Sequence, residues 1–105
     1  MNYQSKRWER TRQAILRRDD YLCRECKRYG VSAEARDVHH ILPAEECTGR
    51  YARLLYDSRN LISLCNRCHG MMHVRWRKEL SEKGFALLKR SGVLDIPPLF
   101  LIFEK

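Results

Sequence analysis

Two Cys-x-x-Cys pairs constrain the fold of this chain more than any other feature of its sequence. Cys23 and Cys26 form the first pair, and Cys65 and Cys68 form the second. A turn with two thiolates binds a tetrahedral ion from one side, and two such turns complete the four-sulfur shell of a structural zinc. The sequence therefore predicts a zinc ion that clamps two distant segments together. Cys47 has no partner at this spacing and is interpreted as a free thiol or packing residue.

All four histidines of the chain lie within residues 39–73. Their clustering beside a Cys-x-x-Cys pair indicates a metal or catalytic site. Consecutive helical positions point about 100° apart, so Cys68 and His69 are expected to face different sites. His73 lies one helical turn beyond His69, and His39 at the end of a strand would complete a three-histidine site. Such a site leaves coordination positions open for water and substrate.

Two other interpretations of these residues are weaker. One compact site built from Cys65, Cys68, His69 and His73 would leave the first cysteine pair without a role. His69 and His73 also have the spacing of the metalloprotease motif HExxH, but that chemistry needs a Glu as general base and the position is Gly70. A protease of this type is therefore excluded.

The charge of the chain favours a polyanionic partner. Its 105 residues include 21 Lys+Arg and 13 Asp+Glu, for a net charge of +8, and its length fits a single domain over residues 1–105. No apolar run is long enough to span a bilayer, and the N-terminus is charged, so neither a membrane segment nor a secretory signal is expected. Five cysteines then fit a reducing cytoplasm better than a disulfide framework.

The hydrophobic pattern predicts an α+β fold made of short elements. Four core positions are expected in its C-terminal half: Met72, Trp76, Phe85 and Leu88. The predicted elements are a basic amphipathic helix over residues 5–18, strands over 37–42 and 61–64, helices over 66–79 and 81–90, and an apolar tail that continues to residue 103.

The order of the motifs resembles the zinc-bearing branch of the HNH endonucleases, small nucleases built on a ββα-metal motif (His-Me finger). The resemblance covers about residues 21–75. It implies a ββα-metal core with a structural zinc, flanked by the basic helix and by the C-terminal helix and tail of residues 81–105. The motifs that carry it are His39-His40-Ile41, Asn60-Leu61 and Leu64-Cys65-x-x-Cys68-His69, with Cys23-x-x-Cys26 in front.

The resemblance also implies a role for each motif residue. His39 and His69 would bind the catalytic metal, with His73 as a further ligand. His40 would be the general base. Asn60 would bridge the loop between the two strands and hold the base in position.

The identity of the catalytic metal stays open at this point. Many family members have Asp where His39 stands and lack a histidine at position 73. An all-imidazole site suits Zn²⁺, Ni²⁺ or Mn²⁺ better than Mg²⁺, which prefers oxygen ligands. Glu45 or Glu46 would be able to add such an oxygen.

Together these features predict a metal-dependent endonuclease that hydrolyses phosphodiester bonds of double-stranded DNA, by nicking or by double-strand cutting. Neutral His40 would take a proton from water, and the metal would stabilise charge on the phosphate and the departing oxygen. Small HNH proteins are often encoded by bacteriophages beside packaging genes, so the resemblance extends to genome processing with terminase subunits in the host cytoplasm. The residues expected to contact the DNA backbone are Arg67, Arg75, Arg77 and Lys78.

Two alternatives from other functional classes remain at this stage. The first is a non-catalytic zinc-finger module that binds DNA and uses its histidines for a second structural metal. The second is a zinc protein that binds RNA. Few aromatic residues interleave with the basic ones, which weakens the stacking platform that an RNA-binding protein often uses.

Overall fold

The computed structural model describes residues 1–74 and 79–94. This part of the chain forms four α-helices and a two-stranded antiparallel sheet, so the predicted α+β class is confirmed. Three short 3-10 helices, Ala44–Glu46, Gly49–Leu55 and Ser58–Asn60, occupy the connection between the strands. The regular elements are α1 (Lys6–Arg18), α2 (Arg24–Arg28), β1 (Asp37–His40), β2 (Leu61–Leu64), α3 (Asn66–Met71) and α4 (Glu82–Ser91).

Helix α1 forms where the basic amphipathic pattern predicts it. The hydroxyl of Ser5 caps its N-terminus by accepting a hydrogen bond from the Trp8 N–H at 3.1 Å. Trp8, Ile15 and Leu16 share its buried face, and the basic residues lie mainly on the exposed side. The helix therefore packs against the sheet through one apolar stripe.

The sheet separates two sets of side chains. In its register, His39 faces Ile62 across the strands and His40 faces Leu61. Because side chains alternate along a strand, Asp37 and His39 lie on one face and His40 lies on the other. Helix α3 contacts the first face through the Asp37 carboxylate, and α1 contacts the second through the His40 ring. His39 and His40 therefore face opposite sides of the sheet, His39 toward α3 and His40 toward α1.

The ion pair of Arg18 with Asp19 at the end of α1 is hydrogen-bonded to the backbone of β2. The guanidinium of Arg18 donates two hydrogen bonds of 2.8 Å to the carboxylate of Asp19 and one of 2.8 Å to the Leu61 carbonyl. The same carboxylate accepts from the Ser63 N–H at 3.1 Å. This contact fixes the distance between the N-terminal helix and the strand that precedes the second cysteine pair.

Helix α3 is shorter than the periodicity predicts, so the prediction of a helix over residues 66–79 is wrong in its extent. The helix ends at Met71. Gly70 is a poor helix former, and Ser81 satisfies the terminal carbonyls: its hydroxyl bonds Met71 O at 2.6 Å and its N–H bonds Met72 O at 2.9 Å. His73 therefore follows the helix and pairs with Leu80 in an isolated bridge.

Helix α4 agrees with its predicted position. Ser81 is its N-cap and Gly92, with φ of 70°, is its C-cap. Met72 and Leu88 are buried as predicted, whereas Phe85 is half-buried. No helix in residues 1–74 or 79–94 is long and apolar enough to cross a membrane. The predictions for Arg75, Trp76, Arg77, Lys78 and the tail beyond Leu94 lie outside the described residues.

Candidate active site

The four predicted cysteines meet in one cluster. The sulfurs of Cys23, Cys26, Cys65 and Cys68 all lie within 4.8 Å of one another. The Sγ of Cys26 is 3.9 Å from that of Cys65 and 3.7 Å from that of Cys68. Four converging thiol groups form a donor set that fits a tetrahedral soft metal ion. The two chain segments are therefore joined as the spacing predicts.

Each cysteine pair opens a short helix in the same way. Cys23 caps α2, with its sulfur 3.4 Å from the N–H of Cys26, and Cys65 caps α3, with its sulfur 3.5 Å from the N–H of Cys68. This last N–H lowers the pKa of the Cys65 thiol to about 7, whereas burial raises the pKa of Cys68. The helix starts thus prepare one thiol for the thiolate form that binds metals.

Cys47 lies apart from this cluster. Its sulfur is 3.6 Å from the carbonyl of Leu42 and 3.5 Å from that of Pro43. Burial raises the pKa of the thiol to about 11. Cys47 is therefore a free thiol that packs in the core, so it combines the two roles named from the sequence.

His39, His69 and His73 form a second cluster, and their ligand atoms lie within 4.8 Å of one another. Each ring meets the other two edge-on, with centroids 5.2, 5.2 and 5.7 Å apart. Burial, and then the neighbouring imidazoles, lower the pKa of His39 well below its usual value. Three imidazoles that converge in this way fit a divalent cation.

The ring of His39 gives an independent test of that fit. Its side chain is 1% exposed, and its Nε2 atom has no hydrogen-bond partner among the described residues. A buried polar atom without a partner costs about 1–3 kcal/mol. A cation bound by the three rings would remove this cost, so the donor atoms present suit a metal.

Asp37 fixes the orientation of His69. Its Oδ2 lies 3.1 Å from Nδ1 of His69. A carboxylate only accepts hydrogen bonds, so Nδ1 is the donor and Nε2 is the nitrogen left for a metal. Sequence reasoning did not single out Asp37. The signal existed, because Asp37 stands two residues before His39 in β1 and therefore lies on the same face.

His40 is held apart from the three-histidine cluster. Its Nε2 lies 2.9 Å from the carbonyl of Leu55, which makes Nε2 the donor and leaves Nδ1 as the acceptor. Its ring stacks on the indole of Trp8, and Tyr3 meets it edge-on. Burial lowers the pKa of His40, although the bond to Leu55 and the charge of Glu45 oppose this shift. The neutral imidazole is therefore favoured near pH 7.

Asn60 bridges the connection between the strands. Its side chain is fully buried, accepts from the Leu42 N–H at 2.7 Å, and donates to the carbonyls of Leu42 at 3.2 Å and Leu54 at 3.1 Å. The next carbonyl in the chain, that of Leu55, is the partner of His40. The amide of Asn60 thus fixes the segment that orients the His40 ring.

The two histidine environments open into one cavity of about 310 Å³. Neither glutamate that was considered as an oxygen ligand belongs to the histidine cluster. Glu45 lines the cavity but is not among the ligand atoms within 4.8 Å of one another, and Glu46 does not line the cavity. Tyr3 enters the lining from the N-terminal segment, and no sequence signal pointed to it. The described residues that line it are Tyr3, Val38, His39, His40, Pro43, Ala44, Glu45, His69 and His73.

A family model described as "HNH endonuclease" matches residues 23–75, half of the chain. The chain belongs to the HNH endonuclease family. It is therefore a nuclease, and its fold is the ββα-metal fold that the motifs predict. The four-cysteine cluster fits the zinc-bearing branch of the family.

A solved structure supports the same assignment. The chain is 43% identical to the HNH endonuclease of the deep-sea thermophilic bacteriophage GVE2, whose crystal structure was determined with manganese ion. The similarity covers 65% of this chain and 70% of that one, with a TM-score of 0.55. No curated protein sequence matches the chain.

Proposed function

We propose that this HNH nuclease hydrolyses phosphodiester bonds in double-stranded DNA with a divalent metal held by His39, His69 and His73. The observation that carries the proposal is the position of His40. Its ring borders the same cavity as the three imidazoles, is neutral and has Nδ1 available as an acceptor. A positioned base beside a metal-binding cluster is the arrangement that phosphodiester hydrolysis requires.

In the proposed reaction, Nδ1 of His40 removes a proton from the attacking water. The Leu55 carbonyl keeps Nε2 protonated, so the ring has one nitrogen free for this proton. Asn60 acts through Leu54 and Leu55 by holding their carbonyls in place. When bound, the divalent cation supplies positive charge that stabilises the phosphate and the departing oxygen in the transition state.

We assign different metals to the two clusters. Four thiol groups suit Zn²⁺, which would be structural because no position is left open for substrate. For the three imidazoles we favour Mn²⁺, since the similar phage enzyme was crystallised with manganese ion. Zn²⁺ and Ni²⁺ also suit imidazole ligands, and Mg²⁺ suits them least.

The experiment combines a plasmid-nicking assay with metal analysis of the same samples, over Mn²⁺, Ni²⁺, Zn²⁺ and Mg²⁺. His40→Ala should lower the cleavage rate by about 10²–10⁴-fold and leave both metals bound. His69→Ala removes a proposed metal ligand and should lose the catalytic divalent ion together with activity. It is therefore the matched control for a variant that loses activity alone. A non-catalytic zinc-finger module would instead give no metal-dependent cleavage in the parent protein. Loss of metal from His40→Ala would reassign His40 to the coordination shell.

We further propose that residues 1–105 act as one domain and that each binding event nicks one strand. Helix α1 precedes the matched region, yet its Trp8 packs on His40, which supports a single working unit. The described residues hold one histidine cluster of this kind, and one site cuts one strand at a time. Accumulation of nicked circles before linear DNA would support nicking, and direct linearisation would contradict it.

The proposed biological setting is phage genome processing with terminase subunits. Its support is the phage origin of the similar enzyme. Purified terminase should raise the rate at which the parent protein cleaves concatemeric DNA, and should leave the His40→Ala variant inactive. An unchanged parent rate would remove this setting without affecting the nuclease assignment.

A further inference from the structure

A second, larger groove lies outside the nuclease site. It encloses about 530 Å³, and none of the described residues that line it also lines the cavity at His40. Glu25 is the one acid in its described lining. Six basic side chains line it: Arg18, Arg24, Lys27, Arg28, Arg59 and Arg90.

Buried acids hold several of these cations in place. The carboxylate of Glu25 is 2.9 Å from Arg28 Nη1 and 3.3 Å from Arg90 Nη2. The buried carboxylate of Asp19 pairs with Arg18 at 2.8 Å and with Arg24 at 3.0 Å. These four arginine side chains are still 37–48% exposed. Their guanidinium groups are therefore both positioned and accessible, which lowers the entropy cost of binding an anion.

The aliphatic side chains at the floor of the groove are largely buried. Ile41, Leu61 and Leu87 are each 5% exposed or less, and Ile62 is half-buried. No aromatic ring lines the groove in the described part of the chain. An apolar peptide would find too little surface to bury, and unpaired bases would have no ring to stack on. The groove is suited instead to a chain of regularly spaced negative charges.

We propose that this groove binds the sugar-phosphate backbone of duplex DNA at a distance from the cleaved phosphate. The inference rests on the proposed function for the choice of DNA as the polyanion. Guanidinium groups match phosphate oxygens in pairs, and α1, α2, α4 and the 3-10 helix Ser58–Asn60 each contribute at least one cation. The nuclease would thus hold a DNA duplex through two surfaces, of which one carries the reaction.

The test uses two cations that do not contact the buried acids. Lys27 is exposed, and Arg59 is 74% exposed and pairs with Asp57 at the surface. The variant Lys27→Gln/Arg59→Gln removes both. The matched control, Lys83→Gln/Lys89→Gln, removes two exposed charges of α4 that lie outside the groove. Affinity for one defined duplex is measured over a salt series with the full chain and no added divalent ion.

The groove variant should bind roughly tenfold or more weakly than the parent, and its log–log salt slope should be smaller by about 1.8, the value for two lost phosphate contacts. Its melting temperature should equal that of the parent. An unchanged slope, or an equal loss in the control, overturns the proposal. Weaker binding of polyglutamate with unchanged DNA binding would also overturn it and indicate an acidic protein partner. Because binding is measured without cleavage, failure of the groove is distinguishable from failure of the nuclease reaction.

Discussion

The indole of Trp8 stacks on the imidazole of His40, with ring centroids 5.1 Å apart and ring planes 18° from parallel. Trp8 belongs to α1 and lies outside residues 23–75, which match the family model. With the hydrogen bond from Nε2 to the Leu55 carbonyl, the stack restrains both the tilt and the rotation of the ring. We therefore interpret Trp8 as a positioning residue for the proposed base.

Removal of the stack should slow cleavage without weakening substrate binding. Trp8→Leu keeps an apolar side chain in the core but has no ring, and we expect kcat to fall about tenfold at most, in line with the 0.5–1.5 kcal/mol of an aromatic pair. Trp8→Phe retains a ring and should recover most of the rate. Steady-state kinetics on a short duplex separate kcat from KM. A loss confined to KM, or an equal loss in both variants, would contradict a positioning role.

The four-cysteine cluster should decide whether the chain folds. Cys26→Ser removes one of four metal-binding sulfurs, and because metal binding to such a cluster is coupled to folding, we expect loss of both the zinc and the cooperative thermal transition. Cys47→Ala is the control. It should retain one zinc per chain and melt within a few degrees of the parent, with a cost of about 1 kcal/mol. Fully folded protein without zinc would refute the assignment.

Local spacing was sufficient to predict which residues assemble at the two clusters. Each cysteine pair lies within one turn, and the strand carrying His39 pairs with the strand that leads to His69. Few arrangements of these segments bring the four cysteines together and also pair the two strands. The contact between Trp8 and His40 was not predictable in this way. The amphipathic pattern places Trp8 on the buried face of α1, but the residue it meets depends on how that helix packs on the sheet.

The end of α3 shows a second limit of local pattern. Apolar positions continue at helical spacing through Met72 and Leu80, so periodicity favours a longer helix. Ser81, the N-cap of α4, donates hydrogen bonds to the last carbonyls of α3, those of Met71 and Met72. This contact is tertiary, so local periodicity does not predict it. His73 still reaches the cluster, although it does so from beyond the helix rather than from its second turn.

Asp37 should control how tightly His69 holds a metal. Asp37→Asn retains an acceptor for Nδ1 but removes the negative charge that strengthens the imidazole as a ligand, so Mn²⁺ should bind about 10–100-fold more weakly. Isothermal titration with Mn²⁺ measures this directly. Glu34→Gln is the control, since its carboxylate is 65% exposed and pairs with Arg36. Equal weakening in both variants would point to general electrostatics instead of a contact with His69.

Asp19 should contribute a pH-dependent part of the stability. Burial alone would raise the pKa of its carboxyl, but hydrogen bonds from Arg18 and Ser63 outweigh burial and lower that pKa from 3.8 to about 2. The folded state thus favours the ionised form, and the stabilisation is present above pH 4 and is lost as the pH falls toward 2. The shift corresponds to about 2 kcal/mol.

Asp19→Asn should therefore lower the free energy of unfolding by about 2 kcal/mol at pH 7, because an amide cannot replace the charged partner of Arg18 and Arg24. The difference from the parent should stay constant between about pH 8 and pH 5, where the carboxyl is ionised in both the folded and the unfolded state. Urea unfolding of parent and variant at equal metal content measures it. Asp20→Asn, at an exposed position with φ of 56° that Asn tolerates, should be neutral. A difference that grows between pH 6 and pH 5 would mean that the carboxyl of Asp19 has a raised pKa, because its protonation would then stabilise the folded parent, and the ion pair of Arg18 with Asp19 would be assigned incorrectly.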